Sequence, residues 1–396
     1  MWMNQLFQIL FYLFCFTIPL NQFINVRVLI ATLIVSFFVK SHQSYDHLRK
    51  SWDIVIYILV LVIGLAYSDD LALGFRIIET SFSFLALPII VNKIQYLEEF
   101  SAEKSFRIFC YGLFVACMIC LINATIQFMS NGDLQSFFFY ELTGIINFHP
   151  TYLAYYIIFA ITYYLYVVYY DSRKFERVSG ILLASFLFLM LLLTGGKTTF
   201  VCLLLVFSFF ILKFLVERRT SQMTYSILLI LSMLSCLFIV NHLEGDFRYS
   251  ALSDSWERMI LWESAFKAVP NVLFGVGTGD YRAELNNYYL THQLTQFAIE
   301  NLNSHNQIIQ LLFSNGILGV LSFIFLLLRP LYLAVKSQNM LFVLVFFPFI
   351  IYGITEVFLG RYQGVVFFVW LHEIFVVSLR AEKLKIVEQI SISTAK

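Results

Sequence analysis

The stretch Asn303-Ser304-His305-Asn306-Gln307 sets an imidazole among carboxamides directly before an apolar run. An imidazole is largely neutral at pH 7 and can accept a proton from a sugar hydroxyl, so His305 is a candidate general base. Asn303 and Asn306 can orient it or bind sugar; the plainer alternative is a helix cap. Arg258 stands near Trp256 and Trp262 on a stretch with helical spacing. A guanidinium offers a flat fork that grips two phosphate oxygens and stays charged at any workable pH. The plainer reading is an interfacial Arg reaching towards headgroups. Lys197, in Thr194-Gly-Gly-Lys197-Thr-Thr, is a further candidate anion contact, against a tight turn with one exposed Lys. His149, in Phe148-His149-Pro150-Thr151, is a second imidazole at the start of an apolar run and a weaker candidate for a site role.

Other fragments fall away on inspection. The segment around Lys197 looks like the tail of a nucleotide-binding P-loop, but Leu191 stands where that motif requires Gly. Gly275-Val-Gly277-Thr-Gly279 looks like part of a dinucleotide fingerprint but has no preceding strand. It reads instead as a turn that brings backbone, Gly277 included, near a ligand or the membrane surface. Cys117 and Cys120 form a CxxC inside an apolar run with no second ligand pair, and all six cysteines lie in such runs, so no metal, redox role or disulfide framework is expected. Asp69-Asp70 lacks a supporting His. Arg76 and Glu79, three residues apart in an apolar segment, read either as a pair on one helix face or as functional charges.

The elements that must carry these residues follow from composition. Of 396 residues, 60% are hydrophobic and only 13% charged, with 44 Phe and 23 Tyr. A soluble chain has about 25% charged residues. Half that leaves too little polar surface to coat a globule, which excludes a soluble enzyme, a nucleic-acid binder and a disordered chain. The expected fold is an all-α integral membrane protein, a single polytopic domain over residues 1–396. Apolar runs at 6–20, 26–39, 54–67, 71–91, 106–129, 151–170, 178–193, 200–216, 225–240, 308–328, 340–354 and 357–379 give about twelve spans. The first run lacks a basic leader and a cleavage site, and reads as a span rather than a signal peptide.

Charge placement orients the chain. Net charge is only +1, yet Lys40, Arg49, Lys50, Lys93, Lys104, Arg173, Lys174, Arg177, Lys213, Arg218, Arg219, Arg329, Lys336, Arg380, Lys383 and Lys385 all fall on one side of the alternation. The opposite short loops carry only Arg27, Lys197 and Arg361. By the positive-inside rule both termini are cytoplasmic. Residues 241–306, between spans nine and ten, form one long extracytoplasmic loop, and loops of that length are usually functional. Within it, Ser253 or Ser255 can cap a helix reaching about Val269, with Trp256, Met259, Ile260, Phe266 and Val269 at helical spacing and Pro270 as the stop. Arg258, Trp262 and Ala265 share its other face. A second helical stretch is expected over 280–299. Trp256, Trp262, Tyr281, Tyr288 and Tyr289 are candidates for stacking on sugar rings.

Taken together, Thr194-Gly-Gly-Lys197, Glu257-Arg258-Met-Ile-Leu-Trp262, Gly275-Val-Gly277-Thr-Gly279-Asp-Tyr281 and Ser304-His305-Asn306-Gln307 followed by Asn315-Gly316-Ile-Leu-Gly319 resemble the O-antigen ligase and O-antigen polymerase superfamily. The resemblance is sharpest over residues 180–320. It implies a GT-C-like membrane fold and a glycosyltransferase of the bacterial inner membrane, active on the periplasmic face. Such an enzyme moves a glycan from undecaprenyl diphosphate to an acceptor hydroxyl without nucleotide sugar, cofactor or metal. Implied partners are the lipid-linked donor, lipid A–core or a glycan as acceptor, and membrane lipids. The diphosphate-holding cations of the family would fall on Arg258 and Lys197, and its base on His305. Asn306, Trp262, Gly277 and His149 complete the expected substrate contacts. The family usually has Arg after Ser at the turn position; here Lys197 follows Gly196, which keeps the charge and loses the fork.

The ligase reading is favoured over the closely similar repeat-unit polymerase. A lipid-linked-sugar transporter or flippase is the rival class, and it would want polar residues through the bilayer midplane. An envelope scaffold, indifferent to changes at Arg258 and His305, is the blandest.

Overall fold

The computed structural model describes residues 2–39, 51–97, 100–170, 174–195, 197–217 and 253–394, and holds no strand among them. In chain order the helices are α1 (Trp2–Thr17), α2 (Gln22–Phe38), α3 (Trp52–Leu65), α4 (Leu71–Thr80), α5 (Ser83–Ile94), α6 (Ala102–Asn131), α7 (Phe139–Thr143), α8 (Pro150–Tyr170), α9 (Lys174–Thr194), α10 (Lys197–Glu217), α11 (Ser253–Lys267), α12 (Tyr281–Thr291), α13 (Thr295–Ile299), α14 (Gln307–Lys336), α15 (Met340–Thr355) and α16 (Tyr362–Thr394). Helices satisfy their own backbone, which is what a hydrocarbon environment demands. Among the described residues, Leu71–Ile94, Ala102–Asn131, Pro150–Tyr170, Arg177–Thr194, Gln307–Lys336 and Tyr362–Leu379 are long and apolar enough to cross a membrane. Gln22–Phe38, Trp52–Leu65, Thr198–Lys213 and Met340–Thr355 are shorter apolar helices. The expected span at 225–240 and the start of the long loop lie outside the described residues.

The chain divides into two compact units. The first is Met1–Phe11, Val28–Lys104 and Leu252–Lys396; the second is Tyr12–Arg27 and Ser105–Ala251. In the first, α14 packs on α3 and α15, and α16 packs on α5. Much of the phenylalanine is used here: Phe349 meets Phe368 edge-on at 4.9 Å, and Phe342 meets Phe375 at 4.7 Å. One polar knot interrupts this core. Asp53 of α3 lies 2.9 Å from the Arg329 guanidinium of α14 and 2.9 Å from Nε2 of His372 in α16, whose Nδ1 is 2.9 Å from Glu373. Asp53, His372 and Glu373 are fully buried. In the second unit α8 packs against α9, and Phe109 of α6 wedges between Tyr156 and Phe159 of α8.

Several expected elements are adjusted. The fourth span is two helices, α4 and α5, broken at Ser81–Phe82. Asp70 caps α4 by accepting the Leu73 N–H at 2.9 Å. Arg76 and Glu79 are both exposed on α4 and form no ion pair with each other. The stretch 280–299 is likewise two helices, because Gln293 turns left-handed (φ +62°) and the Leu294 N–H closes α12 on the Tyr289 carbonyl. The α11 face is rotated from expectation. Leu261 and Ala265 are buried against Leu285, Tyr289 and Phe313, whereas Met259 and Phe266 are exposed. The small Ala265 permits this close approach. The last span starts at Tyr362, after a short turn of 3-10 helix at Phe358–Gly360.

Candidate functional site

The site in the first unit is built around a broken helix. Gly316 has φ +64° and ψ −157°, so α14 is two helical pieces meeting there. In an unbroken helix the Ile317 N–H would bond the Phe313 carbonyl; here it donates to Val272 at 2.8 Å. The glycine turn fills the gap. The Val276 N–H donates to Phe313 at 2.9 Å and the Gly277 N–H to Ser314 at 2.8 Å. Irregular backbone at membrane depth must be buried and paired in this way. The turn is also sewn to the α3–α4 connection. The Thr278 hydroxyl donates to the Leu61 carbonyl at 2.8 Å, and the Gly279 N–H to Ser68 Oγ at 2.9 Å. The Asp280 carboxylate accepts the N–H groups of Asp69 and Asp70 at 2.9 and 2.7 Å. Asn315 completes the joint by donating to the Thr278 hydroxyl at 2.8 Å. A Cβ on Gly277 (φ +113°) would sit 2.6 Å from Ser68 Oγ. Gly277 is buried with its N–H engaged, so its contribution is to hold the turn.

His305 is presented just before α14. Asn306 Oδ1 accepts the N–H groups of Ile308 and Ile309 at 2.9 and 3.1 Å, which makes Asn306 the helix cap. Asn303 Oδ1 accepts the His305 N–H at 2.8 Å. His305 itself is left-handed (φ +42°), a conformation that costs a non-glycine residue energy and that its neighbours hold in place. Its Nδ1 lies 3.3 Å from Glu356 Oε2, with the imidazole 29% and the carboxylate 11% exposed. The other Glu356 oxygen accepts the Val357 N–H at 3.1 Å. A carboxylate at Nδ1 selects the tautomer with its proton there and leaves the Nε2 lone pair free, an assignment that rests on the hydrogen-bond network. Sequence reasoning did not single out Glu356. The signal that could have found it is a lone carboxylate between two apolar runs.

Arg258 is half-buried on α11 and has no hydrogen-bond or ion-pair partner among the described residues. One turn on, the Trp262 indole N–H is buried and also without a partner there. The same helix packs through Leu261 and Ala265 on Phe313 of α14, the helix that follows His305. The candidate sugar platforms sort differently. Tyr289 is fully buried, and burial pushes its phenol above the ordinary range, so it is core. Tyr288 stacks on His292 at 3.9 Å. Tyr281 is half-buried, and the Trp256 side chain lies outside the described residues.

The second unit holds the other two candidates. Lys197 opens α10, directly after Gly195 (φ +66°) and Gly196; its side chain is outside the described residues. A Cβ on Gly195 would fall 2.2 Å from the Phe139 ring. His149 precedes α8. Its Nε2 is 2.8 Å from the Tyr140 hydroxyl, and its Nδ1 accepts the Thr151 N–H at 3.3 Å. That arrangement fixes the start of α8.

Residues 151–324 match the family model described as O-antigen ligase. The matched stretch contains Lys197, Arg258, Trp262, Gly277, His305 and Asn306; His149 and Glu356 lie outside it. No curated protein matches the chain. Members of the family are glycosyltransferase-like enzymes associated with lipid-linked glycans and a membrane environment. Over residues 151–324 this chain is therefore similar to the O-antigen ligase family, and six of its described helices are long and apolar enough to cross a membrane.

Proposed function

We propose that the protein transfers a glycan from undecaprenyl diphosphate to an acceptor hydroxyl at the outer face of the inner membrane, as an O-antigen ligase with lipid A–core as acceptor. The observation that carries this reading is the His305–Glu356 contact, which leaves Nε2 free to act as a base. The acceptor O–H gives its proton to Nε2 as the oxygen attacks the anomeric carbon. The bond from that carbon to the diphosphate breaks, and the diphosphate leaves with the electron pair. The sugar passes through an oxocarbenium-like state, as in other glycosyl transfers. Arg258 meets the growing negative charge, a role in which fixed cations lower a barrier. Trp262 offers an indole N–H, Asn306 and Gly277 support the surrounding backbone, and Lys197 and His149, on the second unit, are substrate contacts of that unit. Apolar helices hold the polyprenyl tail, and neither metal nor cofactor enters a step. The fold carries about twelve spans, residues 241–306 are the extracytoplasmic loop, and both termini are cytoplasmic.

In a strain deleted for the gene and complemented with variants, His305→Ala and Arg258→Ala should each abolish surface-glycan assembly while the protein still inserts. Normal glycan ladders in both would remove the site assignment. The same gels separate ligase from polymerase. Loss of a ligase leaves bare core with accumulating lipid-linked polymer; loss of a polymerase leaves core capped with single repeat units.

A further inference from the structure

A cleft lies in the first unit and is lined by Gln307 and Val357, the near chain neighbours of His305 and Glu356. One wall is a stripe on successive turns of α14: Gln307, Gln310, Ser314 and Asn315. Thr80 and Ser81 at the end of α4, and Thr278 in the glycine turn, add hydroxyls, and Tyr57 and Tyr281 add rings. Among the described residues, no Asp, Glu, Lys, Arg or His lines it. Gln310 is 5% exposed; its Oε1 accepts from Ser304 Oγ at 3.4 Å, while its Nε2 is buried and has no partner. A buried carboxamide donor left unmet is unfavourable, and Gln310 alone of the four is in that position: Gln307 accepts the Leu359 N–H, Ser314 donates to the Gln310 carbonyl and Asn315 donates to the Thr278 hydroxyl.

The lining decides between occupants. A diphosphate would need a cation, and the described lining has none. A polyprenyl tail would strip water from amides and hydroxyls without replacing their hydrogen bonds. A sugar ring supplies both donors and acceptors around its rim and an apolar face for a tyrosine, which suits convergent neutral polar groups in a concave site. We infer that this cleft is a saccharide subsite, holding an uncharged sugar residue of the lipid-linked glycan beside the reacting centre. A uronic acid or phosphorylated sugar would bury a charge there without a counter-ion. The inference rests on the lipid-linked-glycan reading above and adds the chemical class of the bound sugar.

The test uses the full-length protein in lipid nanodiscs and two probes. One is the lipid-diphosphate-linked glycan purified from the producing bacterium; the other is undecaprenyl diphosphate without sugar. Gln310→Met keeps the side-chain length and removes the amide; Thr80→Val keeps the shape and removes the hydroxyl. Each should weaken binding of the glycosylated probe by about tenfold and leave the bare lipid diphosphate unchanged, whereas Arg258→Ala should weaken both. Wild-type affinity for the glycosylated probe in both variants, or equal weakening towards both probes, overturns the subsite while leaving the transferase reading in place. Wild-type protein that binds neither probe overturns both.

Discussion

A carboxylate 3.3 Å from an imidazole nitrogen fixes the ring and chooses its tautomer at once. Glu356 does not reach the reacting atoms in the proposed mechanism; it acts through His305 and is a positioning residue. Glu356→Gln should therefore lower kcat about 10–100-fold, within the general-base contribution it supports, and leave KM for the lipid donor unchanged. Glu356→Asp should recover part of the loss. A reconstituted transfer assay reads both numbers, and a rise in KM with kcat intact would contradict the role. His305 is legible in the sequence because polar residues crowd around it at the edge of an apolar run. Its partner is not, because the two lie 51 residues apart and only folding joins them.

At the scale of elements, the break in α14 decides the architecture of the site. A Cβ on Gly316 would fall 2.2 Å from the Leu273 carbonyl and 2.4 Å from its carbon, so backbone rather than a flexible side chain would have to move. Gly316→Ala should destabilise the protein by roughly 1–3 kcal/mol, the range for a residue forced into left-handed backbone. Gly277→Ala, with φ +113° and a contact to Ser68, should do the same. Thermal unfolding in detergent measures each loss, and both variants should also lose transfer activity. The glycine series is legible as a turn, but its destination is not. Periodicity runs straight through Gly316, since an isolated glycine inside an apolar helical pattern reads as a tolerated helix residue. The face of α11 is misread for a related reason. Met259 and Phe266 are the bulky apolar residues, yet the small Ala265 sets the line of closest packing.

For the molecule as a whole, hydropathy exposes most spans because lipid rewards long apolar runs whatever they pack against. It cannot show the polar knot of Asp53, Arg329, His372 and Glu373, whose members are scattered through those runs. Asp53→Ala would strand Arg329 and His372 in the core. A loss of about 3–5 kcal/mol is expected on the pattern of broken buried ion pairs, read as a lower melting temperature in detergent. The proposed topology is checked by fusing a reporter that fluoresces only in the cytoplasm to residue 396, and by probing a single cysteine at Asp246 with an impermeant thiol reagent. Fluorescence together with external labelling is expected; a dark fusion would reverse the orientation. The glycine turn also has a consequence for biosynthesis. The Thr278–Leu61 and Gly279–Ser68 bonds join partners 217 and 211 residues apart, and the turn's remaining anchors are Phe313 and Ser314. A nascent chain halted before Phe313 can hold all of its earlier helices and still lack a closed turn. Competence for chemistry is then acquired late, as a property of the nearly finished chain, and the helices made first are held open for a partner made last.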